Sequence, residues 1–299
     1  MKKVIVLMST YNGEKYVSEQ IDSILSQTYS NIEILVRDDG SKDKTVEILK
    51  KYEKENKIQL IQGENVGFIK SFFSLIKEAG EADYYAFSDQ DDVWFENKIE
   101  KAVSLLEKEE KNIPILYFAA YDFYNANMEF TGHGGIYKKG PSFRNSLVDC
   151  ITLGINCVMN KKAVEMMKQD IPQNSCGHDW WTYMLCSGLG KVIYDTTPVL
   201  KYRRHDNNVS AGGMNFIKFQ IWRIKKFFVN GYFKNVKEQL KEYETLYGNK
   251  LSKENQKLLK LFTNTSFDNW FKKVFYPKMF RQKLTDEILL RIIFVIGKL

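Results

Sequence analysis

At 299 residues, 44% hydrophobic and with five prolines, the chain can bury a full core, which excludes an intrinsically disordered segment and suits one large or two modest domains. Its four cysteines have no CxxC pairing, which argues for buried free thiols and against a zinc site. The net charge of +7 is uneven: from Asn207 to Lys237 there is no acid, but Lys218, Arg223, Lys225, Lys226, Lys234 and Lys237 are present, a pattern that points to an anionic surface as partner.

The chain begins with two lysines and a five-residue apolar run, Val4 to Met8. That is too short for a signal peptide and reads as a first strand. No run approaches the roughly 20 apolar residues of a membrane span, so the chain is expected to stay in the cytosol. Val17, Ile21, Ile24 and Leu25 recur at helical spacing, so Tyr16 to Ser26 is expected as a helix. Ile32 to Val36 is a second strand, Thr45 to Tyr52 a second helix, and Ile58 to Ile61 a third strand. A helix from Ile69 to Lys77 then buries Phe72, Phe73 and Ile76, and the strand Tyr84 to Phe87 follows. This alternation makes the first 110 residues a doubly wound α/β unit with parallel strands.

Ligands of such sheets bind beyond the C-terminal strand ends. Ser9–Asn12, Asp38–Ser41 and Asp89–Asp92 all follow strands and are expected on one rim. A dinucleotide fold fits poorly, because no GxGxxG and no Walker A loop follows the first strand.

The second half is less regular. Ile115 to Ala119 reads as a strand, Thr131 to Gly140 as a glycine-rich loop, and Leu153 to Met159 as a strand entered through a glycine. Lys161 to Lys168 and Thr182 to Cys186 are expected helices, with Val192 to Tyr194 a strand. Asp179 sits where an N-cap or first-turn acid would sit. After Gly212-Gly213, aromatic residues alternate with basic ones, and the segment from Trp270 to Leu299 is again apolar and basic. Amphipathic helices of this kind pack on a domain or lie in a membrane interface.

The densest chemistry is Asp89, Asp91 and Asp92 at the end of an aromatic strand. Their repulsion would be offset by a divalent cation, and hard oxygen ligands suit Mn²⁺ or Mg²⁺; the rival is a solvated acidic turn. Such an ion would neutralise the diphosphate of a nucleotide-sugar as the C1–O bond breaks. Tyr11 is placed to line a base and Asp39 to accept from a ring N–H. A separate carboxylate must take the acceptor's proton, and Asp179 is the candidate, flanked by Trp180 and Trp181 whose faces suit a sugar ring. Its rival role is a plain N-cap. His178 reads as part of a hydrogen-bond network, Arg203 and Arg204 as phosphate contacts, and His205 as a phosphate contact or a fourth metal ligand, against a salt-bridged surface turn.

Several motifs carry a resemblance. Val4-Ile5-Val6-Leu7-Met8-Ser9-Thr10-Tyr11-Asn12-Gly13, Ser23 to Tyr29, Val36-Arg37-Asp38-Asp39-Gly40-Ser41, Glu64-Asn65-Val66-Gly67 and Ser88-Asp89-Gln90-Asp91-Asp92-Val93-Trp94 resemble, as an ordered set, a family 2 glycosyltransferase of the GT-A fold. The resemblance implies an α/β fold with a central, mostly parallel sheet flanked by helices, and C-terminal amphipathic helices. It implies a catalytic domain over residues 1–212, with a nucleotide-binding half at 1–110 and an acceptor-binding half at 111–212, and a basic aromatic helical extension at 213–299. Thr10, Tyr11 and Asp39 would hold the pyrimidine base, with Asn12, Asn65, Lys70, Asp89 and Gln90 completing the donor site. Asp91 would take the metal, with Asp89 nearer the ribose and Asp92 adjoining. Asp179 would be the catalytic base of a single, inverting displacement. Relatives commonly carry Glu-Asp where this chain has His178-Asp179.

The Ser88–Trp94 motif, Gly177 to Trp181 and Tyr202 to Ser210 are most similar to the rhamnosyltransferase branch. That branch implies dTDP-L-rhamnose as donor and a saccharide on a lipid carrier as acceptor, in cell-surface polysaccharide synthesis. Similar chains use UDP-hexose or UDP-N-acetylhexosamine donors. The C-terminal region resembles the part that docks such enzymes peripherally on the inner face of the membrane. A nucleotide-sugar- or polysaccharide-binding protein without turnover is the alternative from another class. Nucleic acid is not an expected partner, since the positive charge lies in one aromatic helical region rather than around a groove; self-association is left open.

Overall fold

The computed structural model describes residues 1–205 and 231–299. The core of the basic aromatic segment, at 206–230, lies outside the described residues. The first half follows the sequence pattern closely. Strands β1 (Val4–Thr10), β2 (Ile32–Asp38), β3 (Gln59–Gln62) and β4 (Tyr84–Ser88) alternate with helices α1 (Val17–Leu25), α2 (Thr45–Lys54) and α3 (Phe68–Glu78). All four strands are parallel, in the order β3-β2-β1-β4. Both sheet faces are covered, so the strands can be apolar throughout. Ile5 and Leu7 of β1 join the core layer that contains α3, while Val4, Val6 and Met8 join the layer under α1.

The second half turns the sheet into a mixed one. It comprises β5 (Val93–Trp94), α4 (Lys98–Leu106), β6 (Ile115–Tyr124), β7 (Phe130–Gly134), α5 (Phe143–Ser146), β8 (Cys157–Asn160), α6 (Lys161–Gln169), α7 (His178–Leu189) and β9 (Lys191–Arg203). Strand β8 inserts antiparallel between β4 and β6, β9 runs parallel to β6, and β5 closes the edge, giving β3-β2-β1-β4-β8-β6-β9-β5 with β7 paired on β6.

Several elements differ from the sequence expectation, β6 among them, which continues to Tyr124 where Ala119 was the expected end. Phe130–Gly134, expected within a glycine-rich loop, is a strand. Gly134 lies against aromatic rings, where a Cβ would stand 2.3 Å from the Tyr121 ring. At 153–159, a 3-10 turn (Gly154–Asn156) precedes a shorter strand. Helix α7 begins at His178, four residues before the expected Thr182, which places Asp179 in its first turn. Strand β9 runs for 13 residues rather than three, with two register shifts against β6, the first passing over Thr196 and Thr197 and the second lying between Pro198 and Lys201.

Four further helices, α8 (Tyr232–Tyr247), α9 (Lys253–Thr263), α10 (Phe267–Val274) and α11 (Leu284–Val295), follow the undescribed segment. Their buried residues, including Tyr243, Tyr247, Phe262 and Phe294, and Phe280 between the last two helices, join the same apolar core as Trp181 and Leu185 of α7. Tyr243 meets Trp181 edge-on at 5.7 Å, and its hydroxyl donates to the Met184 carbonyl at 3.0 Å.

Gly188 marks the closest approach of α8 to α7, since a Cβ there would fall 2.4 Å from the Tyr243 hydroxyl and 2.9 Å from the Phe143 ring. Alanine in an open helix position would gain about 1 kcal/mol over glycine. Against these rigid rings the sign reverses: Gly188→Ala is expected to destabilise by about 1–3 kcal/mol in urea unfolding, and a stabilised variant would contradict this packing.

Candidate functional site

The loops that leave β1, β2 and β4 are knitted into one rim. Thr10 donates to Asp38 at 3.0 Å, and Asp38 also accepts from the Gly40 and Ser41 amides and the Ser41 hydroxyl. Asp39 is buried; its Oδ1 accepts from Arg37 and the Val66 amide, and its Oδ2 from the Gly67 amide at 2.9 Å. It therefore ties the β2 loop to the start of α3, and contact with a base would fall to the remaining lone pair of Oδ2. Gly40 turns at φ +79°, where a Cβ would press within 3.0 Å of the Asn65 amide.

Gln90 differs from its expected role. Its amide clamps the Tyr11 backbone from both sides, accepting from the Tyr11 N–H at 2.8 Å and donating to the Tyr11 carbonyl at 3.0 Å. Gln90 is thus the strut between the acidic loop and the β1 loop rather than a free donor ligand. The Tyr11 ring it supports is 44% exposed, as a residue lining a ligand must be. Asn12, in the left-handed region at φ 49°, accepts from the Lys42 amide and donates its own N–H to Ser41. Asn65 and Lys70 are exposed, in the β3–α3 loop and the first turn of α3.

The three acids are brought together as expected: ligand oxygens of Asp89, Asp91 and Asp92 lie within 4.8 Å of one another. Loss of water, then the charges of Asp91 and Asp179, push Asp89 up to about 7. Asp92 is pushed well above the carboxylate range by burial and by its two acidic neighbours. Its Oδ1 accepts from the Arg203 amide at 3.1 Å, and its Oδ2 has no hydrogen-bond partner among the described residues. Close carboxylates, one with an orphaned buried oxygen, are the donor set a hard divalent cation neutralises, so the residues fit Mn²⁺ or Mg²⁺. His205 stands at the cluster, Nε2 2.8 Å from Asp91 Oδ2, with its ring stacked on Tyr16.

Asp179 lies beside this cluster, and its charge is one of the fields that raise Asp89. The helix N-cap is Gly177, so the reading of Asp179 as a capping residue fails. Burial raises its carboxyl to about 6 against the pull of neighbouring amides, among them the Trp180 N–H at 2.8 Å.

Other expected contacts are corrected. Helix α7 is buried over nearly its whole circumference, so Trp180 and Trp181 offer no sugar-binding face. Trp180 donates its indole N–H to the Ser146 carbonyl at 2.6 Å, and Trp181 is fully buried against Tyr243. His178 is buried as well, in an aromatic box and outside any hydrogen-bond network of the described residues. Arg203 is 3% exposed and committed to the protein, donating to the Asp91 carbonyl at 2.9 Å and to the Glu19 carboxylate while lying over Tyr16. It buttresses the metal loop instead of meeting phosphate. Arg204 is half-buried, over the Phe123 and Tyr202 rings.

Lys98 was not anticipated. It is fully buried, with Nζ 3.3 Å over the Trp94 ring and donating to the Ile155 carbonyl at 2.5 Å. Burial lowers its pKa well below the usual lysine value, while Asp92 and Asp89 oppose that shift. In the sequence, its one signal was being the sole basic residue between Ser88 and Glu100.

Comparison with known proteins agrees with this geometry. The dTDP-rhamnosyl transferase RfbG of Shigella flexneri is 30% identical over 235 residues, covering 70% of this chain and 75% of that protein. Glycosyltransferase GlyG of Streptococcus pneumoniae is 30% identical over 162 residues, 54% of this chain and 50% of that one. In fold, the chain is similar to a mannosyltransferase from Pyrobaculum calidifontis solved with GDP-Man and Mn²⁺ (TM-score 0.55, 15% identity, 99% of this chain and 80% of that one). It is also similar to S. aureus TarS solved with UDP-GlcNAc (TM-score 0.54, 17% identity, 86% of this chain and 78% of that one). The model of glycosyl transferase family 2 matches residues 5–165, and with the GT-A-like sheet and acidic rim described above, the chain belongs to that family of nucleotide-sugar-dependent glycosyltransferases, which act on saccharide acceptors.

Proposed function

We propose that the chain transfers a sugar with inversion from a pyrimidine nucleotide-diphospho-sugar, with Asp179 as the base. What supports this reading is a further carboxylate, Asp179 in the first turn of α7, within electrostatic reach of the Asp89–Asp92 cluster that follows β4. The acceptor O–H loses its proton to the Asp179 carboxylate as its oxygen attacks C1 from the face opposite the diphosphate. The C1–O bond breaks, its electron pair leaving with the nucleoside diphosphate. Asp91, with Asp89, Asp92 and His205, would hold a divalent cation that offsets the charge on that leaving group. Tyr11, Thr10 and Asp39 would hold the base, with Asn12, Asn65 and Lys70 completing the donor site.

The donor is read first as UDP-hexose or UDP-N-acetylhexosamine. A second reading, dTDP-L-rhamnose, is supported by the Shigella relative named for that activity. Screening UDP- and dTDP-sugars with Mn²⁺, with Mg²⁺ and with a chelator decides between them. The expected result is turnover of one pyrimidine nucleotide-sugar, abolished by the chelator and reduced at least ~100-fold by Asp91→Ala. Binding of the donor without any turnover would favour a binding protein instead.

Asp179→Asn is expected to lower kcat by about 10²–10⁴-fold with a little-changed donor KM. The base must be ionised, so kcat should fall as pH drops through about 6 in the parent enzyme. A parent pH profile flat from 5 to 8 would contradict the assignment.

The acceptor is proposed to be a lipid-linked saccharide, reached by an enzyme lying peripherally on the inner face of the cell membrane. Support comes from α10 and α11. Phe267, Phe271 and Phe275 on one, and Leu284, Ile288, Ile292 and Val295 on the other, are each more than half exposed, with Lys272, Lys278, Lys283 and Lys298 exposed around them. Apolar ridges edged by lysines suit the boundary of an anionic bilayer. No helix among the described residues is long and apolar enough to cross one. Replacing Phe271, Phe275, Ile288 and Ile292 with Ser should release the protein from phosphatidylglycerol-containing vesicles in sedimentation assays, and retention by neutral vesicles at high salt would point to another surface.

A further inference from the structure

His178 takes no part in the transfer chemistry derived above, yet it adjoins Asp179 and is a buried polar side chain with no hydrogen-bond partner among the described residues. It is 4% exposed, and neither ring nitrogen has a partner among the described residues. Its ring stacks on Phe72 with centroids 3.8 Å apart and planes at 21°, and it meets Phe87 edge-on at 4.7 Å and Phe68 at 6.4 Å. On the remaining side is Gly154, where a Cβ would stand 2.4 Å from Nε2. Burial pushes the imidazole down to about 3, so the ring is neutral wherever the enzyme works. Leaving two ring nitrogens dry is costly, so what the side chain contributes is a flat ring of a given volume.

The walls of this box are the parts that must be in register for transfer. Phe68 and Phe72 belong to α3, whose N-cap Gly67 and the preceding Val66 are held by Asp39. Phe87 lies two residues before Asp89 on β4. Gly154 opens the turn into β8 and contributes its backbone to the surroundings of Asp179. The donor rim, the acid strand and the helix bearing the base therefore meet on one ring.

We propose that His178 is a positioning residue: wedged between Phe72, Phe87 and Gly154, its uncharged ring sets the first turn of α7 and thereby the distance from Asp179 to the acceptor hydroxyl. This rests on the reading of Asp179 as the base. The shape of the ring, not a proton on it, does the positioning.

The test compares His178→Ala, His178→Phe and Gly154→Ala in the full-length enzyme, each also combined with Asp179→Asn. His178→Ala should lower kcat by about 100-fold, the scale of an ångström-sized misplacement of a catalytic group, with donor KM within about threefold. His178→Phe should restore kcat to within about threefold of the parent, since the flat ring is retained. Gly154→Ala, whose Cβ evicts the ring, should reproduce the loss seen with His178→Ala. In the Asp179→Asn background the 178 substitutions should cost little more, because a misplaced amide loses nothing further. A His178→Phe enzyme as impaired as His178→Ala would overturn the proposal by showing that the nitrogens matter, and so would an unimpaired His178→Ala. Full transfer by Asp179→Asn alone would instead reject the base assignment, a separate failure that the 178 variants do not produce.

Discussion

Mutual repulsion among carboxylates is the constraint on which this structure turns. Two unit charges at the 4.8 Å limit of the cluster repel by about 3 kcal/mol at an effective dielectric constant of ~20. Asp89, Asp91 and Asp92 sit within that range, and Asp179 adds its field. A chain free to relax would swing these groups into water. Here they are held from several directions at once: the Arg203 amide and guanidinium grip Asp92 and the Asp91 backbone, His205 meets Asp91, and buried Lys98 places a positive field behind Asp92 and Asp89. The cluster is preorganised for a charge that arrives with the ligand, because the scaffold has already met the cost of gathering it.

The same economy runs through the donor rim, where most polar side chains bind backbone and few are free. Asp38 and Asp39 stabilise the β2 loop and the start of α3, and Gln90 locks the β1 loop to the acidic one. What is left for a ligand is the surface these clamps shape, with the Tyr11 ring at its edge. Rigid loops suit a reaction whose rate depends on alignment of C1, the attacking oxygen and the leaving phosphate.

The parallel half was legible because buried strands of a doubly covered sheet are continuous apolar runs, and the acids that interrupt them stand out. The acid trio and the rim loops could therefore be read from residues alone, whereas the helix start that puts Asp179 in a first turn rather than at an N-cap could not. The tryptophans could not. A tryptophan beside an acid looks like a sugar platform until the burial of its helix is known, and α7 is buried nearly all round, so no periodicity separated Trp180 and Trp181 from the core. Lys98 and Arg203 were obscure for a related reason: in sequence a cation near acids reads as solvated charge, and only the fold places these two inside. Strand β7 was hidden because glycines that fit against Tyr121 resemble glycines of a loop.

The antiparallel insertion of β8 divides the sheet along a narrow seam. Strand β4 meets it through Tyr84, Tyr85 and Ala86 opposite Asn160, Met159 and Val158, and among the described residues no other strand pairing joins the two sides. The register of β1 to β4 is set among themselves, and that of β6, β8 and β9 likewise. Drift on one side of the seam thus leaves the strand alignment of the other intact. Substitutions that reshape the strands beyond the seam therefore need not disturb the loops at the ends of β1, β2 and β4, and the acidic rim can keep its geometry while the other half of the sheet varies.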